Sequence, residues 1–188
     1  MPNWCDNDLI VSIGRSPTKE EKTTRIYSLK RFKEFAKRHT TDAINTNQFV
    51  PYPKEFATKD KAYHKVMDEV DKLPQEERKK WFENNTPPKD GFNSGGYEWC
   101  QINWGSKWGI CHSELVSEDY KRGIITYRFD SPWSPPAQVI VAMSKKFPDL
   151  EFTLKYFECG MAFKGMFKTK AGEVTYDKHG AYRGGRGG

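Results

Sequence analysis

Polar and apolar residues alternate along residues 4–13, WCDNDLIVSI, so that Cys5, Leu9, Val11 and Ile13 share one face while Asp6, Asp8 and Ser12 share the other. This period of two predicts a strand with one buried face, closed by Gly14. The period then lengthens. In SPTKEEKTTRIYSLKRFKEFAKRHT, Ile26, Leu29, Phe32, Phe35 and Ala36 recur at helical spacing, which gives one apolar face and a strongly basic opposite face. Thr18 followed by Glu21 supplies a capping box at its start. Further along, GICHSELV and GIITYRFDS are runs rich in β-branched and aromatic residues, joined by the polar turn SEDYKR, and predict a hairpin. SPWSPPAQVIVAMSKKF predicts a second helix, with Ser134 as N-cap, Pro135 at the first position and Val139, Ile140, Met143 and Phe147 as the buried stripe. Pro148 stops it. LEFTLKYFE then predicts a strand, and MAFKGMFKTKAGEVTYDKH a further hairpin that turns at KAGE.

Between these halves, at about residues 40–101, lies an insertion containing QFVPYPKEF and two predicted helices, 60–73 and 75–85, split by Pro74. Their charges are of mixed sign, which describes a solvated face. NNTPPKDGFNSGGY, rich in Gly, Pro and Asn, predicts a flexible connection or lid. The order is strand, helix, insertion, strand, strand, helix, strand and appended hairpin. It predicts an α+β fold, a ferredoxin-like split βαβ sandwich with a helical insertion after the first helix and a C-terminal β-hairpin. One domain, residues 1–180, holds all of this, and residues 181–188 form a flexible Arg/Gly tail, either a frayed end or a short nucleic-acid contact.

Composition makes the core aromatic: hydrophobic residues are only 36% of the chain, but aromatics are 14%, with six Trp and twelve Phe. The 31 Lys and Arg against 25 Asp and Glu give a net charge of +6, which permits an acidic partner without requiring one. Distribution says more. Residues 25–38 carry six bases against Glu34, and residues 161–188 carry six (Lys164, Lys168, Lys170, Lys178, Arg183, Arg186) against Glu173 and Asp177. No apolar run is long enough to span a membrane and the N-terminus has no signal-peptide pattern, so a cytoplasmic protein is expected. Cys5, Cys100, Cys111 and Cys159 show no regular spacing and are expected as free thiols.

Several ordered phrases, MPNWCDNDLIVSIG, FVPYPKEF, EWCQINWGSKWG, FDSPWSPP and FPDLEFTLKYFECGMAFKG, resemble the YubB-like proteins of bacterial plasmids and phages. The resemblance runs from residue 1 to about residue 172. It implies a ferredoxin-like domain and an accessory role for a mobile element in a bacterial cytoplasm, and it brings no catalytic residue. In that family the tryptophan turn reads Trp-Gly-Thr-Lys-Trp followed by an acidic residue; here Ser106 replaces the threonine and Gly109 follows Trp108.

Candidate chemistry is sparse. His112 and Glu114 share a strand face and are the one candidate general acid/base pair, while Cys111 points the other way and cannot act with His112. A zinc site from Cys100, Cys111, His112 and Cys159 lacks closely spaced ligand pairs, so neither metal nor cofactor is expected. The stronger signal is aromatic. Trp104 and Trp108 flank a turn carrying Lys107, and Trp133 precedes the second predicted helix, where backbone N–H groups favour an anion. Two readings stay open: a binding surface, or a hydrophobic lid between insertion and sandwich. An RNA-recognition module is a poor match, since Tyr127 and Phe129 fall on the core face of their strand and Asp6 and Asp8 make the open face negative.

The leading expectation is a non-enzymatic protein that binds nucleic acid or a nucleotide through Trp104, Lys107, Trp108, Trp133, Arg31 and Arg38. The alternative is a protein-binding module that inhibits or redirects a host factor. An enzyme built on His112 and Glu114 comes third. The sequence leaves the oligomeric state open.

Overall fold

The structure is a computed structural model that describes residues 3–15 and 18–184. Its first strand, β1 (Trp4–Ser12), buries every second residue, with Cys5, Asn7, Leu9 and Val11 inward. Asn7 joins the apolar residues there because its amide nitrogen donates to Ser131 Oγ at 2.9 Å and to the carbonyl of Cys5 at 2.7 Å. A buried amide is tolerated only when its donors are used in this way. Helix α1 (Lys19–Ala36) starts at Thr18, whose hydroxyl accepts from Glu21 N–H at 3.1 Å. The reciprocal half of the expected capping box is absent, because the Glu21 carboxylate is drawn to Arg25 one turn on.

The later elements are β2 (Cys111–Asp119), β3 (Ile124–Pro132), α5 (Ala137–Lys146), β4 (Glu151–Glu158), β5 (Phe163–Lys170) and β6 (Glu173–Ala181). All the strands join one antiparallel sheet in the order β2-β3-β1-β4-β5-β6. The first four of these strands give the ferredoxin-like order, and the β5–β6 hairpin extends the sheet beyond β4. It turns through Ala171 and Gly172, both at positive φ (52° and 87°), the conformation that tight hairpins use. Phe32 of α1 packs edge-on against Tyr127 of β3 and Phe152 of β4, and against Phe147 at the end of α5. The helices therefore cover one face of the sheet with a core of rings. Val139, Ile140 and Met143 are buried in α5 as expected.

The N-terminus of α5 departs from expectation. The helix begins at Ala137 after Pro136, and the Ser134 hydroxyl donates to the carbonyl of Gly105 at 2.7 Å instead of capping. The cause is local: Pro136 takes φ −81° and ψ 59°, outside the helical region, so the first turn cannot begin before Ala137.

The chain divides into two compact units, Met1–Pro51 with Cys100–Gly188, and Tyr52–Trp99. The second contains α2 (Lys54–Val70) and α3 (Gln75–Asn84). Helix α2 begins six residues before the expected position 60, directly after Pro53. Pro74 stands as N-cap of α3, so it separates the helices as expected. The Gly/Pro-rich stretch expected as a loose connection is partly pinned: Asp60 accepts from the N–H groups of Gly91 (2.8 Å) and Phe92 (2.9 Å). Gly91 is required there because a Cβ would fall 2.1 Å from the Phe56 carbonyl oxygen. A last helix, α4 (Gly96–Asn103), leads into the tryptophan turn. The tail expected to be flexible from residue 181 starts later, because Ala181 closes β6 and the Tyr182 N–H donates to the Ala162 carbonyl at 2.7 Å; its end, residues 185–188, lies outside the described residues.

Candidate nucleic-acid interface

The six side chains expected to bind a ligand are not gathered in one place. NWGSKWG closes α4: Gly105 adopts φ 79°, and its N–H reaches back to the carbonyl of Cys100 at 3.1 Å, a left-handed glycine stop. Trp104 is 6% exposed, and its indole N–H donates to the carbonyl of Val50 at 2.9 Å. It belongs to the core, contrary to its expected role as a ligand platform. Lys107 lies over Trp108, 5.3 Å from the ring centroid, and Trp108 meets Trp4 edge-on at 6.3 Å. The cavity at Trp104 and Trp108 holds only about 220 Å³, below the roughly 300–1,000 Å³ typical of ligand pockets. Trp133, at φ 69°, is half-exposed and sits four residues before α5 begins, so the helix N-terminus expected beside it lies further along the chain.

Arg31 and Arg38 line a different cavity, a groove of about 630 Å³ beside α1 and the end of α5 that also takes in Lys30 and Lys146. Arg38 and Lys146 both pack on the Phe35 ring. No residue lines both this groove and the cavity at the tryptophan turn.

The candidate acid/base pair is also rearranged. β2 is bulged between Cys111 and Glu114, with His112 at φ 50°. His112 and Glu114 are both exposed, but the imidazole pairs with Asp130 at 2.9 Å, while Glu114 faces Arg128 at 3.9 Å. The four cysteines are free, and burial pushes the Cys5 thiol up to about 12 and raises Cys111, which makes both poor nucleophiles. Among the described residues no cluster of three or more His, Cys, Asp or Glu could hold a metal, and no helix is long and apolar enough to cross a membrane.

A further concavity lies on the face of the sheet that the helices leave open. It is a trough of about 800 Å³ over β1, β4, β5 and β6. Cross-strand register shows how it is built. One row reads Asp6, Phe157, Lys164, Gly180 from β1 to β6. The next reads Asp8, Lys155, Met166, Lys178, and the third Ile10, Thr153, Lys168, Tyr176. Phe157 and Tyr182 are stacked, with centroids 5.1 Å apart and planes 21° apart, and Lys168 lies 5.6 Å from the Tyr176 centroid. A ring and a lysine therefore stand on neighbouring strands, about 4.8 Å apart, in the first and third rows (Phe157 with Lys164, Tyr176 with Lys168), while two lysines flank Met166 in the second. Asp8 is held by Arg128 at 3.3 Å. Partial burial, then the neighbouring Asp130 and Asp8, raise the pKa of Asp6 above the ordinary carboxylate value. Tyr127 and Phe129 are buried on the helix side, as their strand position predicted. Of the residues lining the trough, Lys155, Phe157 and Tyr176 were not singled out in the sequence, while Lys164 and Lys178 were counted only within the basic stretch 161–188. For Lys164 the signal was present in FKGMFKTK, where Lys164, Met166, Lys168 and Lys170 fall on one face and Phe163, Gly165, Phe167 and Thr169 on the other.

Comparison with known proteins bears on the fold. Residues 101–184 match a family model described as a ferredoxin-like domain in Api92-like protein. The match does not name the YubB-like proteins. Among solved structures, protein Api92 of Yersinia pseudotuberculosis is similar at 13% identity and a TM-score of 0.46, over 99% of this chain and 100% of that one. No curated protein matches. The chain thus carries a ferredoxin-like domain, similar over residues 101–184 to that of Api92-like proteins.

Proposed function

We propose that this chain is a binding protein for single-stranded nucleic acid and that its contact surface is the open sheet face, where Arg128, Lys155, Lys164 and Lys178 outnumber the Asp6 and Asp8 that were expected to make it negative. The observation that carries the reading is the gathering of Lys155, Lys164 and Lys178 with Phe157, Tyr176 and Tyr182 in one trough. Flat rings stack on unpaired bases of any sequence, and lysines between them neutralise the phosphates. A duplex hides its base faces and would use only the cations. The protein acts by binding, as an accessory protein of a bacterial plasmid or phage, the setting that the sequence resemblance implies.

The test is fluorescence anisotropy with labelled single-stranded oligonucleotides over a range of salt. Binding is expected to weaken steeply with salt, and Lys164→Ala/Lys178→Ala to flatten the slope by about 1.4, some 0.7 per lost phosphate contact. Salt-insensitive binding, or a double variant that binds like wild type, overturns the reading. A nuclease-resistant complex with a host protein that is lost in the same variant would make the trough a protein interface instead.

A second reading keeps the expected Arg31 and Arg38. Their groove carries four bases, Lys30, Arg31, Arg38 and Lys146, against Glu34 and Asp149, and suits a phosphate group. Loss of oligonucleotide binding in Arg31→Ala/Arg38→Ala, with the lysines of the trough intact, would favour it.

A further inference from the structure

The first row of the open face is ordered as acceptor, ring, cation: Asp6 on β1, Phe157 on β4 and Lys164 on β5 are consecutive cross-strand neighbours. A nucleotide has the same linear order, from the donor groups on the outer edge of its base, through the ring, to the phosphate. Seated with its phosphate over Lys164 and Lys178, a base on the Phe157 and Tyr182 rings turns its outer edge toward Asp6. Strand spacing of about 4.8 Å leaves room for N–H···O contacts of about 2.9 Å at that edge.

Asp6 has its own backbone N–H as a hydrogen-bond donor and the positive charge of Arg128 nearby. Among the described residues no side chain donates a hydrogen bond to its carboxylate, whereas the neighbouring Asp8 has Arg128 and Asp130 has His112. A half-buried carboxylate with like charges beside it gains most from a ligand that presents two N–H groups side by side. Uracil places its N–H between two carbonyls, and adenine and cytosine set a ring acceptor next to the amine. Guanine alone offers adjacent N1–H and N2–H donors on its Watson–Crick edge.

We infer that the open face selects guanine within single-stranded nucleic acid, and that the Asp6 carboxylate reads its N1–H and N2–H pair. The inference rests on the single-stranded reading above. Lys155, Lys164 and Lys178 supply affinity, and Asp6 supplies the choice of base.

The experiment titrates the full chain with labelled oligouridylates of about ten nucleotides that carry one central guanosine, inosine or uridine. Guanosine is expected to bind about tenfold tighter than uridine, a hydrogen bond to a charged group having that worth. Inosine, which keeps N1–H but lacks the amine, should fall between them. Asp6→Asn keeps the shape of the side chain but removes the paired acceptors, and it should bring all three probes to the uridine value. Asp6→Ala should do the same. Equal, salt-dependent binding of the three probes by wild type overturns the base selection and leaves the single-stranded reading standing. A guanosine preference that persists in both variants removes Asp6 from it. No binding of any probe overturns the reading beneath, and the selection with it.

Discussion

Trp104 and Lys107 stand in the same turn yet have opposite burdens. The indole is buried and hydrogen-bonded, so Trp104→Ala is expected to cost roughly 3–5 kcal/mol of stability. Lys107→Ala, which removes a contact on the exposed side of Trp108, should stay within about 0.5 kcal/mol. Denaturant titration of the two variants separates them. Gly109, where the YubB-like pattern has an acidic residue, packs so tightly that a Cβ would sit 2.7 Å from Thr46 Oγ1. At Asp6 the prediction concerns pH. Its pKa is raised on folding, so the folded state holds its proton more tightly, and stability falls as pH rises through the window that begins at 3.8. Asp6→Asn should therefore be more stable than wild type at neutral pH and lose the advantage below that value, as read from unfolding midpoints across the pH range.

Among the elements, α1 shows how a local signal becomes tertiary structure. Its Thr18 cap and its stripe of Leu29, Phe32 and Ala36 were legible in the sequence and are present in the fold. Thr18→Ala is expected to cost about 1 kcal/mol, measured by denaturant unfolding, since it frees one N–H in the first turn. Helix α5 was legible in its stripe but not in its start. Paired prolines after Ser134 moved the first turn, and Ser134 spent its hydroxyl on Gly105. In β2 the alternation that puts His112 and Glu114 on one face was legible, but the bulge that hands His112 to Asp130 was not. Bulges depend on the partner strand, and a strand read alone does not contain its partner.

For the whole molecule, the two basic concentrations in the sequence end on different surfaces. The first lies on α1 beside the groove of Arg31 and Arg38, and part of the second lies in the trough through Lys164 and Lys178. If the trough is the contact surface, Arg31→Ala/Arg38→Ala should change oligonucleotide affinity by no more than about twofold, while Lys164→Ala/Lys178→Ala lowers it by about tenfold or more at low salt. Anisotropy titrations of both variants in one buffer decide between the surfaces.

The sequence by itself determined the order of elements and their buried faces, because periods of two and of about 3.6 residues are local properties of a chain that must hide one side. From that order the ferredoxin-like class followed, together with the burial of Tyr127 and Phe129 and the open-face position of Asp6 and Asp8. Only the tertiary structure decided which residues became neighbours. Asp6 lies about 150 residues before Phe157 and Lys164 and joins them only through the β1–β4 register. Trp104 became core because the carbonyl of Val50 was brought within reach of its indole. Both outcomes rest on contacts between distant segments, and such contacts exist only once the chain has folded.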